Sequence, residues 1–315
     1  MNKISNRQVI CDTLMEIAAR DRDIIVLASD SRGSASMTEF AKQFPDQFIE
    51  VGIAEQNLVG IAAGLAASGK KPYVASPACF LSMRSVEQVK VDVAYSKTNV
   101  KLIGISGGVS YGALGMSHHS LQDIAVMRAI PGINVLMPAD RHETKKMVEA
   151  LTKSDEPAYI RIGRNPVQDV YNSNEYDFEI GKAVVMKEGN DITIIAAGET
   201  VKVAMDAAEI LGKRGIGCRV LNMHTLKPLD EASIIKAAKE TNHIITVEEH
   251  SIYGGLGSAV SQVVVENHPV PMKVVAIPDE PAIPGKSEEV FEYYGLSADR
   301  ISTIALEMLP GGSRF

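Results

Sequence analysis

The feature that most constrains the fold of this chain is the alternation of short apolar runs with segments of helical length. Residues 24–28 form a continuous apolar run, which is typical of a strand buried on both faces of a sheet. Further buried strands are predicted at Val100–Ile105 and Ile192–Ala197, with helical segments between them. Alternation of this kind implies a mostly parallel sheet with right-handed crossovers, so we predict an α/β fold.

The alternation is interrupted once, between Gly163 and Gly181. The intervening residues have the composition of a linker, with Asn165, Pro166, Asn172, Ser173 and Asn174. A chain of 315 residues is long for one domain and comfortable for two. We therefore predict domains at residues 1–165 and 181–315, joined by a linker at 166–180.

The composition argues against several classes of protein. The net charge of −7 is spread without long runs, which speaks against a nucleic acid or an anionic membrane as the main partner. Apolar runs stop well short of about 18 residues, so we predict no membrane span. Met1–Arg7 lead into an amphipathic helix, and we expect no signal peptide. Cys11, Cys79 and Cys218 are far apart, which predicts buried thiols in a reducing cytoplasm.

Glu55 stands out as a carboxylate at the start of a helix made of small and apolar residues. A Glu in the first turn of a helix usually faces water, where it complements the helix dipole. Here, however, the neighbouring residues offer almost no polar surface: Ile53, Ala54, Leu58 and Val59. Removal of water favours the protonated form of a carboxyl, which would let Glu55 share a proton with a ligand.

The same helix carries small residues at a regular spacing. Gly60 and Gly64 stand one turn apart, and Ala63 and Ala67 repeat the interval. Small residues at this spacing leave a shallow groove in which a second helix packs closely. We therefore expect the chain to associate with another copy of itself through this face.

The segment Ile53–Gln56, followed by this Ala- and Gly-rich helix, resembles the pyrimidine-binding domain of thiamine-diphosphate enzymes of the transketolase family. The resemblance covers nearly the whole chain, and it implies that residues 181–315 form the transketolase C-terminal domain. It also implies that Glu55 contacts a ring nitrogen of the cofactor's aminopyrimidine. In the family this contact stabilises the imino tautomer, which takes the proton from the thiazolium carbon and so creates the nucleophile. Phe80 would stack on the pyrimidine, and Asp30, at the end of the first strand, would contact the cofactor.

A glycine-rich loop at 106–120 follows the strand Val100–Ile105. No Lys follows it at the spacing of a P-loop, so that phosphate motif is absent. Transketolases carry a Gly-x-Thr-His segment whose His contacts substrate hydroxyls, and the resemblance places His118 in this role. Leu114 stands where the family has a hydroxyl-binding Asp, and Ser106 where the sugar enzymes have another His. Both departures speak against the ordinary pentose-phosphate substrate pair.

Three residues fall where transketolases bind the phosphate of the sugar, namely Arg7, Ser34 and Arg164. An isolated Arg is usually a solvated surface residue. Together, the three would form a charge-assisted phosphate site.

The second half of the chain offers no comparable chemistry. Its acidic and histidine residues lack the H-E-x-x-H spacing of a zinc site: His224, Glu248, Glu249 and His250. Gly254–Gly257 suggests a dinucleotide turn, but the acidic partner for the ribose is not evident. We expect this half to pack and dimerise, and to supply little chemistry.

Family members bind the diphosphate through Mg²⁺ with a Gly-Asp-Gly segment and a downstream Asn, and this sequence has no Gly-Asp-Gly. We therefore expect no metal site on this chain. The metal ligands and the pyrophosphate-binding domain would belong to a separate N-terminal subunit. The chain is accordingly identified as a C-terminal subunit of a split transketolase that transfers a two-carbon ketol unit between sugar phosphates, a homodimer alone and α2β2 with its partner.

Two alternatives remain open at this point. The β subunit of a 2-oxoacid dehydrogenase decarboxylase has the same two domains. The phosphate residues and the His118 loop favour the sugar enzyme. A non-catalytic scaffold with the same fold is the third candidate, and the presence of Glu55 in its motif argues against it.

Overall fold

The computed structural model describes residues 4–173 and 176–309. The first three residues of the predicted N-terminal domain, Asn174 and Glu175 of the predicted linker, and residues 310–315 lie outside this description. Within it, no helix is both long enough and apolar enough to cross a membrane.

Strands and helices alternate through both halves of the described chain. In chain order, the strands are β1 (Ile24–Ala28), β2 (Phe48–Glu50), β3 (Lys71–Pro77), β4 (Lys101–Ile105), β5 (Asn134–Leu136), β6 (Ala158–Arg161), β7 (Val184–Lys187), β8 (Ile192–Ala196), β9 (Cys218–Asn222), β10 (Thr225–Lys227), β11 (Ile244–Ser251) and β12 (Met272–Ile277). The helices are α1 (Asn6–Ala18), α2 (Thr38–Gln43), α3 (Glu55–Ala67), α4 (Ala78–Arg84), α5 (Val86–Gln88), α6 (Asp123–Ala129), α7 (Arg141–Thr152), α8 (Thr200–Gly212), α9 (Glu231–Thr241), α10 (Leu256–Asn267), α11 (Ser287–Tyr293) and α12 (Ala298–Met308).

The strands form two sheets, and the α/β prediction is confirmed. The first sheet has the order β10-β5-β6-β4-β3-β1-β2, and the second β12-β11-β8-β9-β7. Pairing is parallel throughout except for the edge strands β10 and β7, which run antiparallel to β5 and β9. Every residue of β1, β4 and β8 is buried, as expected for strands covered by helices on both faces.

The helical segment between β3 and β4 is interrupted. Helix α4 ends at Arg84, and a π-helical turn at 89–95 follows α5. The break falls at Ser85, whose hydroxyl donates to the Leu81 carbonyl at 2.6 Å. A side-chain hydroxyl that bonds to the preceding turn commonly bends a helix. Phe80 lies before the break, within α4.

The segment predicted as a linker is anchored to the first domain. The backbone N–H groups of Val170 and Tyr171 both donate to Asp140 Oδ2, at 2.8 and 2.9 Å. Arg141 pairs with Asp169 at 2.9 Å. Strand β10 also crosses over from the second half of the chain to extend the first sheet. The two halves are therefore joined by hydrogen bonds as well as by the chain.

Candidate active site

Glu55 is the first residue of α3, after a turn that follows β2. Its side chain is buried, with the residue 4% exposed. The partial positive charge at the helix N-terminus favours a carboxylate there. The expected apolar surroundings are only partly present: Leu58 and Val59 lie in the core, but Ile53 is 73% exposed.

A charged partner, Arg84, contacts the Glu55 carboxylate. Arg84 Nη1 donates to Glu55 Oε1 at 2.9 Å and to Oε2 at 3.1 Å. The same guanidinium lies over the Phe80 ring, 3.9 Å from its centroid. Phe80 and Arg84 are neighbours because they are four residues apart on α4. One guanidinium thus contacts both groups that the sequence assigns to the pyrimidine.

His118 lies between two aromatic rings. Its ring centroid is 5.2 Å from that of Phe80 and 5.3 Å from that of Tyr111, both in edge-on arrangements. The Ser117 hydroxyl lies 2.9 Å from His118 Nδ1. The structure therefore joins His118 to Phe80 and, through Arg84, to Glu55.

The three predicted phosphate ligands are also brought together. Arg7 Nη1 donates to the Ser34 carbonyl at 2.5 Å, and the Arg164 guanidinium lies 5.2 Å from the centroid of the Tyr111 ring. Burial lowers the pKa of Arg7, and the nearby Arg164 cation lowers it further. Within residues 4–173 and 176–309, neither cation lies within ion-pair distance of a carboxylate. Two close guanidiniums without acidic partners attract an anion.

Asp30 lies just beyond the end of β1, with its side chain exposed and a positive φ of 54°. Its backbone N–H donates to Glu50 Oε1 at 2.7 Å, and that oxygen also accepts from the Gly52 N–H at 3.1 Å. Asp30 is thereby tied to the turn that leads into Glu55. The Asp30 carboxylate is left open at the edge of the sheet.

The two departures from the family pattern differ in their surroundings. Leu114 is 53% exposed at the tip of the glycine-rich loop. Ser106 is fully buried at the base of the loop, and its backbone has a φ of 56°. Within the described chain, the Ser106 hydroxyl oxygen has no hydrogen-bond partner. Of the two, Leu114 is thus the one exposed to solvent.

Three residues of the site were not predicted from the sequence: Arg84, Tyr111 and Glu50. The spacing of Phe80 and Arg84 by four residues was available as a signal, but only a helix starting at Ala78 makes it meaningful. Tyr111 lies in the glycine-rich loop next to the predicted His118. No local pattern marks Glu50, because its role depends on the pairing of β1 with β2.

The pyrimidine end of thiamine diphosphate fits these residues. The Arg84 guanidinium is planar, donates to the Glu55 carboxylate and lies over the Phe80 ring, which are the contacts that an aminopyrimidine would make. The Arg84 side chain is 47% exposed and is therefore not enclosed by the core. In the described part of the chain, His, Cys, Asp and Glu side chains form no group of three or more that could hold a metal ion.

Two family models match the chain. "Transketolase, pyrimidine binding domain" matches residues 2–169, and "Transketolase, C-terminal domain" matches residues 181–301. The candidate site lies mainly within the first of these ranges.

Two curated relatives span almost the same length as this chain. An apulose-4-phosphate transketolase subunit of Phocaeicola vulgatus is 52% identical over 308 residues, which is 98% of each chain. The 6-deoxy-6-sulfo-D-fructose transketolase subunit SqwH of a Clostridium species is 39% identical, over 96% of this chain and 94% of its own.

A solved structure described as "Split gene transketolase, inactive beta4 tetramer" superposes with a TM-score of 0.89. It is 38% identical, and the match covers 97% of this chain and 98% of that one. With the two family models and the curated relatives, this similarity shows that the chain belongs to the transketolase family, of which it carries the pyrimidine-binding and C-terminal domains.

Proposed function

We propose that this chain is the C-terminal subunit of a split, thiamine-diphosphate-dependent transketolase that transfers a two-carbon ketol unit between sugar phosphates. The observation that carries the proposal is the series of contacts from Glu55 through Arg84, Phe80, His118 and Tyr111 to the phosphate residues. A cofactor-binding carboxylate and an anion site are thereby connected along one edge of one sheet, as the reaction requires.

Glu55 would hold the pyrimidine ring nitrogen and share a proton with it at a carboxylate oxygen. When bound, thiamine diphosphate supplies an acidic thiazolium carbon that acts as the nucleophile of the transfer. Phe80 would orient the pyrimidine ring by stacking, once Arg84 has left its face. Asp30 is proposed as a further cofactor contact, from the end of β1.

Arg7, Arg164 and the backbone near Ser34 would bind the sugar phosphate. The two guanidiniums are close to each other and lie near no carboxylate in the described chain. A bound phosphate dianion would offset the repulsion between their charges. His118, between this phosphate site and Phe80, would contact substrate hydroxyls. The substrate would then lie along the Tyr111 side of the loop, with its ketol end towards the cofactor.

The substrate is proposed to be a ketose phosphate other than xylulose 5-phosphate. Leu114 replaces a family Asp that binds a hydroxyl, and Leu114 is exposed at the tip of the glycine-rich loop. The 52% identical relative is named for apulose-4-phosphate, which makes that sugar the first candidate.

A separate N-terminal subunit would complete the site with Mg²⁺ and its ligands. Among the described residues, no group of three or more His, Cys, Asp and Glu side chains could hold a metal ion, and the 38% identical relative is described as inactive in a tetramer of β subunits. The small-residue face of α3 is open, since a Cβ added at Gly60 or Gly64 would meet no atom within 4 Å. We propose this face as the contact between copies, in a homodimer alone and in α2β2 with the partner.

The names of the relatives favour the sugar enzyme over the 2-oxoacid dehydrogenase alternative. Substitution of Glu55 distinguishes an enzyme from a non-catalytic scaffold, because a scaffold would not depend on the proton of this carboxyl.

Glu55→Gln, assayed in the complex with the partner subunit, is expected to lower turnover by about 100-fold to 10,000-fold, because an amide cannot share a proton as a carboxyl does. Hydrogen–deuterium exchange at the thiazolium carbon should slow in parallel. Glu39→Gln, which changes an exposed carboxylate paired with Lys42, is the matched control. Exchange in Glu55→Gln as fast as in the unmutated complex would contradict the assignment.

Arg164→Ala is expected to raise the KM for phosphorylated donors by roughly 10- to 100-fold, since a hydrogen bond to a charged group contributes about 1.5 to 3 kcal/mol. The KM for unphosphorylated donors should change little. Steady-state kinetics with matched pairs of donors makes the comparison, and Arg20→Ala, an exposed arginine just beyond the far end of α1, serves as control. Equal effects on both classes of donor would remove Arg164 from the phosphate site.

A panel of ketose phosphates tested with the complete complex decides the substrate class. The expected best donor is a sugar altered at the carbons that the family Asp reads, with apulose 4-phosphate as the first candidate. Loss of one hydrogen-bonding group changes the discrimination between two donors by about 1 to 3 kcal/mol. The preference for one ketose phosphate over another should therefore be clear in kcat/KM. The idea is wrong if xylulose 5-phosphate and ribose 5-phosphate are the best pair by a wide margin.

A further inference from the structure

The carboxyl end of β11, in the second domain, lies against the glycine-rich loop of the first. The backbone N–H of Val109 donates to Glu249 Oε1 at 2.8 Å. Two residues further along β11, the Ser251 N–H donates to the Leu121 carbonyl at 2.9 Å. The second domain therefore contacts both ends of the loop: near Val109, after β4, and at Leu121, before α6.

The base of the loop has room only for glycine at these contacts. A Cβ at Gly107 would collide with the Arg161 side chain, and one at Gly108 would collide with the carboxyl group of Glu249 and with Arg161. Gly108 also has a positive φ of 60°, which other residues rarely adopt. The two glycines let the loop backbone come close enough for the Val109 N–H to reach the carboxylate.

Arg161 fixes the Glu249 carboxyl group from the other side. Arg161 Nη2 donates to the Glu249 carbonyl at 2.7 Å and lies 3.5 Å from Oε2. Burial raises the pKa of Glu249, whereas the Arg161 cation opposes that rise. Asp123 lies 3.5 Å from Arg161 Nε, and Glu199, whose pKa burial also raises, faces the same group of charges. The Glu249 side chain, enclosed by these groups, has little freedom to move.

The two ends of the loop are hydrogen-bonded to each other. Gly108 and Ser120 exchange backbone hydrogen bonds of 3.0 and 2.8 Å, which closes the loop into one unit. The residues between them include Tyr111, Leu114 and His118, which line the candidate substrate site. Ser120 is buried, whereas Leu114 is exposed. Contacts that hold Gly108 and Val109 therefore act on the base from which Tyr111 and His118 extend.

We propose that Glu249 of the C-terminal domain is a positioning residue for the substrate: by holding the Val109 N–H, it sets the glycine-rich loop so that Tyr111 and His118 face the sugar phosphate. This inference rests on the proposed function for the nature of the ligand. It gives the second domain a part in substrate binding, in contrast to the expectation that it supplies little chemistry. Glu249 acts through the loop and makes no contact with the reacting atoms.

The first experiment needs neither cofactor nor activity. Chymotrypsin cleaves after aromatic and large apolar residues, and Tyr111, Leu114 and Met116 lie at the tip of the loop. Glu249→Ala is expected to speed cleavage of the isolated chain within the loop by about tenfold, because the buried Val109 N–H loses its acceptor. Glu249→Gln keeps an acceptor oxygen, so its rate of cleavage within the loop should lie between those of Glu249→Ala and the unmutated chain.

Glu248→Ala is the matched control. Glu248 is the neighbouring buried carboxylate, but it accepts hydrogen bonds from the Leu256 and Gly257 N–H groups at the start of α10 and does not contact the loop. The Glu248→Ala substitution should lower the free energy of unfolding of the chain without speeding cleavage after Tyr111, Leu114 or Met116. Equal cleavage in the loop for Glu249→Ala and Glu248→Ala overturns the proposal.

The second experiment uses the complex with the partner subunit. Glu249→Ala is expected to raise the KM for the ketose phosphate by about tenfold with kcat changed far less, and Glu249→Gln should recover most of the affinity. A general loss of folded protein lowers apparent kcat and leaves KM unchanged, and that result overturns the proposal. If the unmutated complex shows no ketol transfer at all, the proposed function fails, and the cleavage experiment still decides whether Glu249 sets the loop.

Discussion

Hydrogen bonding between parallel strands brings the candidate site together. In the first sheet β6, β4, β3, β1 and β2 are neighbours in that order, so their carboxyl ends meet at one edge. Arg164 follows β6, His118 and Tyr111 follow β4, Phe80 and Arg84 follow β3, Asp30 and Ser34 follow β1, and Glu55 follows β2. Arg7 joins them because α1 leads back to the start of β1, which puts its N-terminus at the same edge. Residues far apart in sequence thus become neighbours, as in other open α/β sheets.

The order of the elements could be predicted from the sequence because it depends on local patterns, whereas most candidate site residues were assigned through the resemblance to the transketolase family. Burial on two faces gives β1 its continuous apolar run, and the Glu55 motif is contained within a few residues. Arg84 could not be assigned, since its contact with Glu55 requires α4 to start at Ala78 and β2 and β3 to lie on either side of β1. Strand β10 was missed because three residues are too few to show a period, and its partner β5 lies about 90 residues earlier.

The second domain is tied to the site by charges that carry no sequence signature. Glu249 meets Val109 across 140 positions of the chain, and Arg161 lies buried between carboxylates from both domains. The spacing of the segment Glu248–His250 does not suit a zinc site. Two of its side chains, Glu248 and Glu249, make structural contacts instead. Glu248 caps α10, and Glu249 contacts the glycine-rich loop. Separate domains could not be joined in this way without the glycines at 107 and 108, which allow the close approach.

This chain is proposed to supply only the pyrimidine half of a cofactor site, and calorimetry with thiamine diphosphate and Mg²⁺ tests that proposal. The titration is run on the purified chain alone and again with the partner subunit. With few fixed partners for the diphosphate, contacts to the pyrimidine alone must offset the entropy of binding, so the chain alone should bind weakly or not at all, and the complex tightly. Micromolar affinity of the chain alone would contradict the account.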